Sequence, residues 1–287
     1  MKKIHLLKIF LMCAYFGMAQ MPDSDVWLFG LKKDKNDQVF VKDSLNITRR
    51  KGYDNQPCFS PDEKKIYYVS VREDKQADIY VYDIRKKKTQ RLTQSAESEY
   101  SPQFNADGIN LSVVMVERDS AQRIHVLNAA SGLSVKTITE DSVGYYQYLN
   151  KDTVIYYKLT NPHSLHMYVL SSNEDRWICN QPTRGFKTIY RSKLMYAVKD
   201  SNRVDFYIYD FTVQKSKHFC SYPSLDEDAI WHPTMGLMKS EAAKILRYVP
   251  NKNEWQVYLD LSKHGIKKIT RFAFDSTDKK LIVVNNL

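Results

Sequence analysis

One strand-like pattern recurs along this 287-residue sequence and constrains its fold more than any other feature. The piece DIYVYD, from Asp78 to Asp83, alternates apolar and polar residues as a half-buried strand does. Related pieces are DVWLFG at Asp25, RIHVLN at Arg123, HMYVLS at His166, DFYIYD at Asp205 and WQVYLD at Trp255. Their central residues stand 53, 45, 43, 39 and 50 residues apart: Trp27, Tyr80, His125, Tyr168, Tyr207 and Val257. The sequence therefore contains six similar units of about 44 residues.

Two further landmarks keep a regular place in these units. A short piece ending in threonine follows the alternating strand by 13 or 14 residues at Thr93, Thr139 and Thr270. Another piece precedes each strand, as in QPCFSPDEKK around Phe59 and TRFAFDSTDKKL around Phe274. It gives an apolar residue, a turn built from Pro, Asn, Asp or Gly, and a second apolar strand. Each unit thus reads as four short strands.

Repeats of this length and strand number are typical of a β-propeller, in which each unit is one blade around a central channel. A β-sandwich also has many short strands, but it does not explain three landmarks that recur together. The sequence therefore predicts an all-β, six-bladed β-propeller with four-stranded antiparallel blades. We expect residues 20–287 to form this single domain.

The order of the landmarks predicts how the ring closes. The last segment, from Arg271 to Leu287, contains only the first two strands of a blade. The first segment, from Asp23 to Thr48, contains only the last two. We expect these two segments to form one shared blade, because either half alone would leave an unpaired strand edge.

The first nineteen residues, MKKIHLLKIFLMCAYFGMA, differ in kind from the rest. A basic start and a short apolar run are followed by Gly17 and Ala19, small residues that suit a cleavage site before Gln20. This predicts a signal peptide over residues 1–19, and a mature protein in the periplasm or outside the cell. The apolar run is too short to span a bilayer, although a retained anchor and lipidation at Cys13 stay open as alternatives.

Charge and cysteine content limit the partners. Removing the predicted signal peptide lowers the formal net charge from +10 to +7, and the remaining basic clusters are interleaved with acids. This pattern indicates solvated turns and no nucleic-acid partner. The cysteines Cys58, Cys179 and Cys220 lack metal-binding spacing, so we expect buried thiols, with a Cys179 to Cys220 disulfide as the alternative.

The best-formed unit carries a family resemblance. FSPDEKKIYYVS, then ADIYVYD, then QRLT resembles the WD40-like propeller repeat of TolB and many exported bacterial proteins. The usual pattern of that repeat is F-S-P-D-G-K-x-I-x-F, then D-I-Y, then L-T. The match is strong from Asn55 to Thr93 and weakens towards Lys187, and Glu63 replaces the usual glycine of the first turn. The resemblance implies an exported six-bladed propeller that binds other molecules.

No catalytic or metal-binding motif is predicted. Ser60 and Asp62 suit the turn between two strands, where such side chains accept backbone N–H bonds. His163 and His166 are close in sequence, but one lies in a loop and the other begins a strand, so they need not face the same way. We expect no catalytic residue, no metal and no cofactor.

A binding face can nevertheless be predicted. In a propeller the connections between blades lie on one face around the channel mouth. Here they mix aromatic and charged residues, which suit anchors for a protein or stacking platforms for a sugar. The predicted partner-binding residues are Tyr53, Asp54, Glu99, Tyr100, Tyr145, Tyr146, Arg184, Phe186, Asp226, Asp228 and Trp231. Alternatively, several of these tyrosines begin inner strands and pack between blades.

Two classes of function follow. The first is a non-catalytic scaffold that binds an envelope or secreted protein or peptide. The second is a glycan-binding protein or a polysaccharide lyase, which would need a base and a charge stabiliser converging on the channel.

Overall fold

The computed structural model describes residues 21–139, 142–190, 192–223 and 226–287. These residues fold into six four-stranded antiparallel sheets, which confirms the predicted six-bladed, all-β fold. The predicted signal peptide and Cys13 lie outside the described residues. Within the described part of the chain, no helix combines the length and apolar character needed to cross a membrane.

The strands follow one another with short connections, and a single 3-10 turn, Ser262–His264, precedes the last two. In chain order the strands are β1 (Ser24–Lys33), β2 (Val39–Asn46), β3 (Asp54–Phe59), β4 (Lys65–Val71), β5 (Ala77–Asp83), β6 (Lys88–Arg91), β7 (Ser98–Phe104), β8 (Asn110–Val116), β9 (Gln122–Asn128), β10 (Ser134–Thr137), β11 (Val143–Asn150), β12 (Thr153–Lys158), β13 (Ser164–Val169), β14 (Glu174–Asn180), β15 (Lys187–Ile189), β16 (Lys193–Lys199), β17 (Val204–Asp210), β18 (Lys215–Tyr222), β19 (Ala229–His232), β20 (Gly236–Glu241), β21 (Lys244–Val249), β22 (Glu254–Asp260), β23 (Lys268–Phe274) and β24 (Lys280–Asn286).

Each blade has its first strand at the channel and its fourth at the outside. Blade 1 is β23-β24-β1-β2, and blades 2 to 6 are the consecutive groups β3 to β6, β7 to β10, β11 to β14, β15 to β18 and β19 to β22. In blade 1, β1 pairs with β24 so that Val26 lies opposite Val284 and Phe29 opposite Leu281. The predicted closure by a blade shared between the two ends of the chain is confirmed.

The core lies between blades, because the second and third strands are apolar on both faces. Tyr68 and Tyr80 of blade 2, for example, pack with Val26 and Ile282 of blade 1. Large aromatic side chains fill these wedge-shaped spaces, and Tyr68, Tyr146 and Tyr156 are almost fully buried. This packing accounts for much of the tyrosine content of the chain.

The threonine landmark has a structural role. Of the three landmark threonines, Thr270 differs: it lies in β23 and its Oγ1 donates to Asn286 Oδ1 at 3.2 Å. The Oγ1 atoms of Thr93 and Thr139, and of Thr48 in blade 1, accept hydrogen bonds from the third-strand amides of Ile79, Ile124 and Val26, at 2.9, 3.2 and 3.1 Å. Each bond ties the end of an outer strand to the strand beside it, so the recurrence of this residue reflects blade architecture.

The first turn of blade 2 is also held by its own side chains. Ser60 Oγ donates to Asp62 Oδ1 at 2.6 Å, and the amide of Lys64 donates to the same oxygen at 3.2 Å. Glu63 has φ 54°, the left-handed conformation for which the repeat usually supplies glycine. A side chain in that conformation costs about 1 kcal/mol, which the surrounding bonds offset.

The three described cysteines are free thiols. Cys179 and Cys220 lie in β14 and β18, the outer strands of neighbouring blades, and both are buried. The structure therefore confirms buried thiols for Cys179 and Cys220 over the alternative disulfide, whereas Cys58 is half-buried and lines the channel.

Candidate binding site at the channel

The first strands of all six blades surround a central channel that encloses a cavity of about 410 Å³. Side chains from β3, β7, β11, β19 and β23 line it, together with the segment that leads into β15. All six blades thus contribute to the lining of this channel.

Glutamine side chains join neighbouring inner strands along this wall. Gln56 Oε1 accepts a hydrogen bond from the Ser101 amide at 2.5 Å, and Gln103 Nε2 donates to the Tyr146 carbonyl at 2.6 Å. In the next blade, Gln147 Nε2 donates to the hydroxyl of Thr188 at 3.0 Å. These bonds hold adjacent blades in register and leave a largely polar upper wall.

Arg271 reaches across one end of the channel. It belongs to blade 1, and its guanidinium lies 5.4 Å from the ring centroid of Tyr145 in blade 4, on the opposite side of the ring. Its Nε donates to Asn55 Oδ1 at 3.1 Å, which fixes the start of the side chain. A cation over an aromatic face is an attractive arrangement. This pair therefore narrows the channel at the end where the blade connections lie.

A charged pair stands beside it. Arg184 donates hydrogen bonds to both carboxylate oxygens of Asp228. Its Nη2 lies 2.8 Å from Oδ1 and 3.0 Å from Oδ2, and its Nε lies 3.1 Å from Oδ1. Burial raises the pKa of Asp228, while the positive charges of Arg184 and Arg271 oppose that rise. The pair is rigid because it combines a bidentate contact with partial burial.

Tyr53 and Tyr100 complete this end of the channel. Burial raises the pKa of Tyr53 to about 12, and Arg271, Tyr145, Tyr100 and Arg184 are close enough to influence it. We call the group formed by these side chains the channel mouth; its members are Tyr53, Tyr100, Tyr145, Arg184, Asp228 and Arg271. All six are half-buried, so each presents part of its surface to water.

Five of the eleven residues predicted from the sequence therefore meet at the mouth. The other six take different positions. Tyr146 is 2% exposed and Phe186 is 8% exposed, and both pack in cores between blades. Trp231 packs against Phe219, with ring centroids 5.7 Å apart. Tyr146 therefore packs between blades, which is the alternative that the sequence left open for several of these tyrosines.

The acidic members of that group have local partners. Asp54 is fully buried and forms an ion pair with Arg50 at 3.1 Å. Glu99 is also fully buried and accepts hydrogen bonds from the hydroxyls of Thr93, at 2.9 Å, and Ser95. Asp226 lies 3.4 Å from the amine of Lys268. These three carboxylates belong to the walls beside the mouth.

Sequence reasoning missed Arg271 and Lys187 because it searched the connections between blades and not the inner strands. Lys187 begins β15 and lines the channel on the side facing Cys58 of blade 2. Lys187 is exposed to the channel. Protein surrounds the channel on all sides, and the resulting desolvation lowers the pKa of the Lys187 amine. Burial likewise raises the pKa of the Cys58 thiol to about 12. The sequence signal that could have identified Lys187 and Arg271 is the presence of a charged residue in a predicted inner strand.

The histidines do not converge on the channel. The His163 ring packs against Tyr157 at an interplanar angle of 45°, with ring centroids 5.1 Å apart. His166 Nδ1 forms a hydrogen bond with Asp175 Oδ1 at 2.9 Å. His232 is the last residue of β19, and its Nδ1 accepts hydrogen bonds from the amides of Thr234 and Met235 in the following turn, both at 3.3 Å. In the described ranges, no group of three or more His, Cys, Asp or Glu side chains is placed to hold a metal ion.

Comparison with known proteins supports the fold. No family model matches the sequence, and no curated protein matches it. Among solved structures, one assigned as TolB from Agrobacterium tumefaciens has a TM-score of 0.68 and 8% identity, over 93% of this chain and 99% of that chain. TolB from Acinetobacter baumannii has a TM-score of 0.58 and 14% identity, over 92% of this chain and 63% of that one.

An enzyme is also similar in structure. An oligogalacturonate lyase in complex with manganese has a TM-score of 0.55 and 13% identity, over 90% of this chain and 82% of that chain. The architecture alone therefore does not distinguish an enzyme from a protein without catalytic activity. The chain has the six-bladed β-propeller fold of TolB-like proteins.

Proposed function

We propose that this protein is a non-catalytic scaffold of the cell envelope that binds a protein or peptide at the channel mouth. The observation that carries this proposal is the grouping of three tyrosines, two arginines and an aspartate at one end of the channel. Tyrosine and arginine are enriched among residues that dominate binding energy in protein interfaces.

The geometry of the mouth supports binding without large rearrangement. Arg184 is fixed by Asp228, and Arg271 is fixed between Asn55 and the Tyr145 ring. Side chains that are already held in place lose less conformational entropy when a partner binds. The remaining predicted residues, such as Tyr146 and Phe186, support the mouth from the cores beneath it.

The test compares capture of envelope proteins by three forms of the mature chain. The first is the unchanged protein, and the second carries Tyr53→Ala and Tyr145→Ala at the mouth. The third carries Tyr190→Ala as a matched control, because Tyr190 is 78% exposed in the turn between β15 and β16, at the opposite end of the channel. After crosslinking, we expect one partner whose recovery falls about tenfold or more with the mouth variant only.

Melting curves establish that all three forms are folded. Equal recovery with the unchanged protein and the mouth variant would refute the proposed face. Loss of the partner with Tyr190→Ala alone would move the binding face to the other end of the channel.

We also propose that residues 1–19 direct export and are then removed. This part of the proposal rests on the basic start, the apolar run and the small residues before Gln20. Mass measurement of the protein isolated from its native envelope should give a chain beginning at Gln20. A chain that retains Met1, or one that begins with a lipid-modified Cys13, would contradict cleavage at this site.

A glycan-acting protein is the second candidate. The structural similarity to an oligogalacturonate lyase and the cationic groups Lys187 and Arg271 in the channel favour it. The test is incubation with acidic polysaccharides while the absorbance of unsaturated products is followed. Product formation that disappears in Lys187→Met would favour a lyase over a scaffold.

A further inference from the structure

The channel, including three members of its mouth, is lined by more positive than negative charges. Five charged residues line it: Arg184, Lys187, Glu227, Asp228 and Arg271. Asp228 is taken up by Arg184, and Glu227 lies 3.3 Å from the amine of Lys199. Within the described part of the chain, no carboxylate oxygen lies within 4 Å of the Lys187 amine or the Arg271 guanidinium, although Arg271 is close enough to Asp228 to lower its pKa.

Lys187 is the deeper of the two cations. It follows the blade connection by only a few residues and faces Cys58 across the channel, below Arg271. Burial lowers the pKa of Lys187. Among the described residues, only Cys58 opposes this decrease, and Lys187 in turn lowers the pKa of the Cys58 thiol. An amine in this position gains an electrostatic partner only when a ligand supplies a negative charge.

A neutral donor lies on the same wall. The side-chain oxygen of Gln56 is used by the Ser101 amide, whereas its NH2 group has no hydrogen-bond partner among the described residues. The amine of Lys187, the guanidinium of Arg271 and this amide group are thus donors that three different blades supply to the same cavity. Charge-assisted bonds from such donors to an anion are stronger than bonds between neutral groups.

The other end of the cavity is apolar. Phe59, Phe104 and Phe274 line it, each from a different inner strand. A volume of about 410 Å³ is within the usual range for small-molecule sites. The cavity therefore combines an anion-binding end with an aromatic end, which suits an amphipathic ligand.

We propose that the channel binds a small carboxylate, with its acid group between Lys187 and Arg271 and its apolar part against the phenylalanines. An acid with an apolar part fits this lining better than inorganic phosphate, because only a ligand with an apolar part can contact the phenylalanines while its acid group meets the cations. The carboxylate belongs either to a free organic acid or to the C-terminus of a peptide. This proposal goes beyond binding at the mouth and needs neither Tyr53 nor Tyr100.

The test uses calorimetric titration of the full chain with three probes of equal size: benzoate, benzyl alcohol and benzylamine. We expect benzoate to bind, and the alcohol and the amine to bind at least about tenfold more weakly. Lys187→Met should weaken benzoate binding by about 10- to 100-fold, whereas Lys187→Arg should preserve most of it. Lys215→Met is the matched control, since Lys215 is an exposed lysine of the same blade, and it should leave binding unchanged.

Two further probes separate the sources of the carboxylate. Glycylglycylphenylalanine is compared with its C-terminal amide, and tighter, Lys187-dependent binding of the acid would identify a peptide terminus as the ligand. Benzoate binding that exceeds tripeptide binding would identify a free acid.

Equal affinity for benzoate and benzyl alcohol would overturn the proposal, as would unchanged binding of both acids in Lys187→Met. Tighter binding of inorganic phosphate at the same site would overturn the assignment to a carboxylate. Because the mouth tyrosines are intact in every variant, these outcomes do not depend on the capture experiment described above.

Discussion

At the scale of single residues, burial shifts the pKa of two ionisable side chains, Glu99 and Lys239, more strongly than their neighbours oppose the shift. Burial raises the pKa of Glu99 to about 7, against hydrogen bonds from Ser95 and Thr93 that oppose the rise. Burial lowers the pKa of Lys239 to about 8. Its Nζ has no hydrogen-bond partner among the residues that the structure describes, although it lies 3.6 Å from the centre of the Tyr222 ring. Each group therefore makes stability depend on pH.

For Glu99, the folded-state pKa lies above the unfolded value. The stability it provides is complete below about pH 4.3 and is lost as pH rises through about 7, because the unfolded chain releases the proton first. Glu99→Gln should therefore raise the free energy of unfolding by about 2 kcal/mol at pH 8 and change it little at pH 4.5. Urea denaturation at both pH values measures this. A gain of equal size at both would show that ionisation of Glu99 is not the cause.

For Lys239, the folded-state pKa lies below the unfolded value. The folded protein carries the full cost of a buried charge below about pH 8, and stability rises between about pH 8 and pH 10 as the amine loses its proton. Lys239→Met should stabilise the protein by about 2 kcal/mol at pH 7 and by less at pH 10. Lys215→Met is the exposed control. Destabilisation by Lys239→Met at pH 7 would mean that the contact with Tyr222 outweighs the cost of burial.

At the scale of strands and blades, the repeating blade architecture could be predicted from the sequence, whereas the contacts between distant blades could not. Thr93 and Thr139 recur at the same offset because each accepts a hydrogen bond from a third-strand amide, whereas Thr270, predicted from the same spacing, lies in an inner strand. The mouth depends on contacts between blades far apart in sequence, such as Arg271 with Tyr145. A periodic pattern says which residues begin inner strands, but not whether a side chain such as Tyr146 turns towards the channel or the core.

The shared blade gives a prediction at this scale. A chain ending at Thr270 lacks most of β23 and all of β24, so β1 loses the partner that places Val26 opposite Val284. We expect this chain to lose cooperative thermal unfolding, because an open ring exposes two strand edges and the core between blades 1 and 2. A synthetic peptide of residues 271–287 should restore the transition. Cooperative melting of the shortened chain at the temperature of the full chain would contradict closure by this blade.

At the scale of the whole molecule, the two ends of the channel differ. Charged and aromatic side chains gather at the mouth, whereas phenylalanines line the other end of the cavity. The cross-blade glutamine bonds and the closed ring hold the mouth residues in fixed relative positions. We propose that this fixed mouth is a preorganised face for a partner.

Photo-crosslinking in intact cells tests that claim most directly. A benzophenone amino acid replaces Tyr145 at the mouth in one form and Tyr190 at the opposite end in the other. We predict one discrete adduct with an envelope protein from position 145 and none from position 190. Adducts of equal yield from both positions, or an adduct from position 190 alone, would contradict binding at the channel mouth.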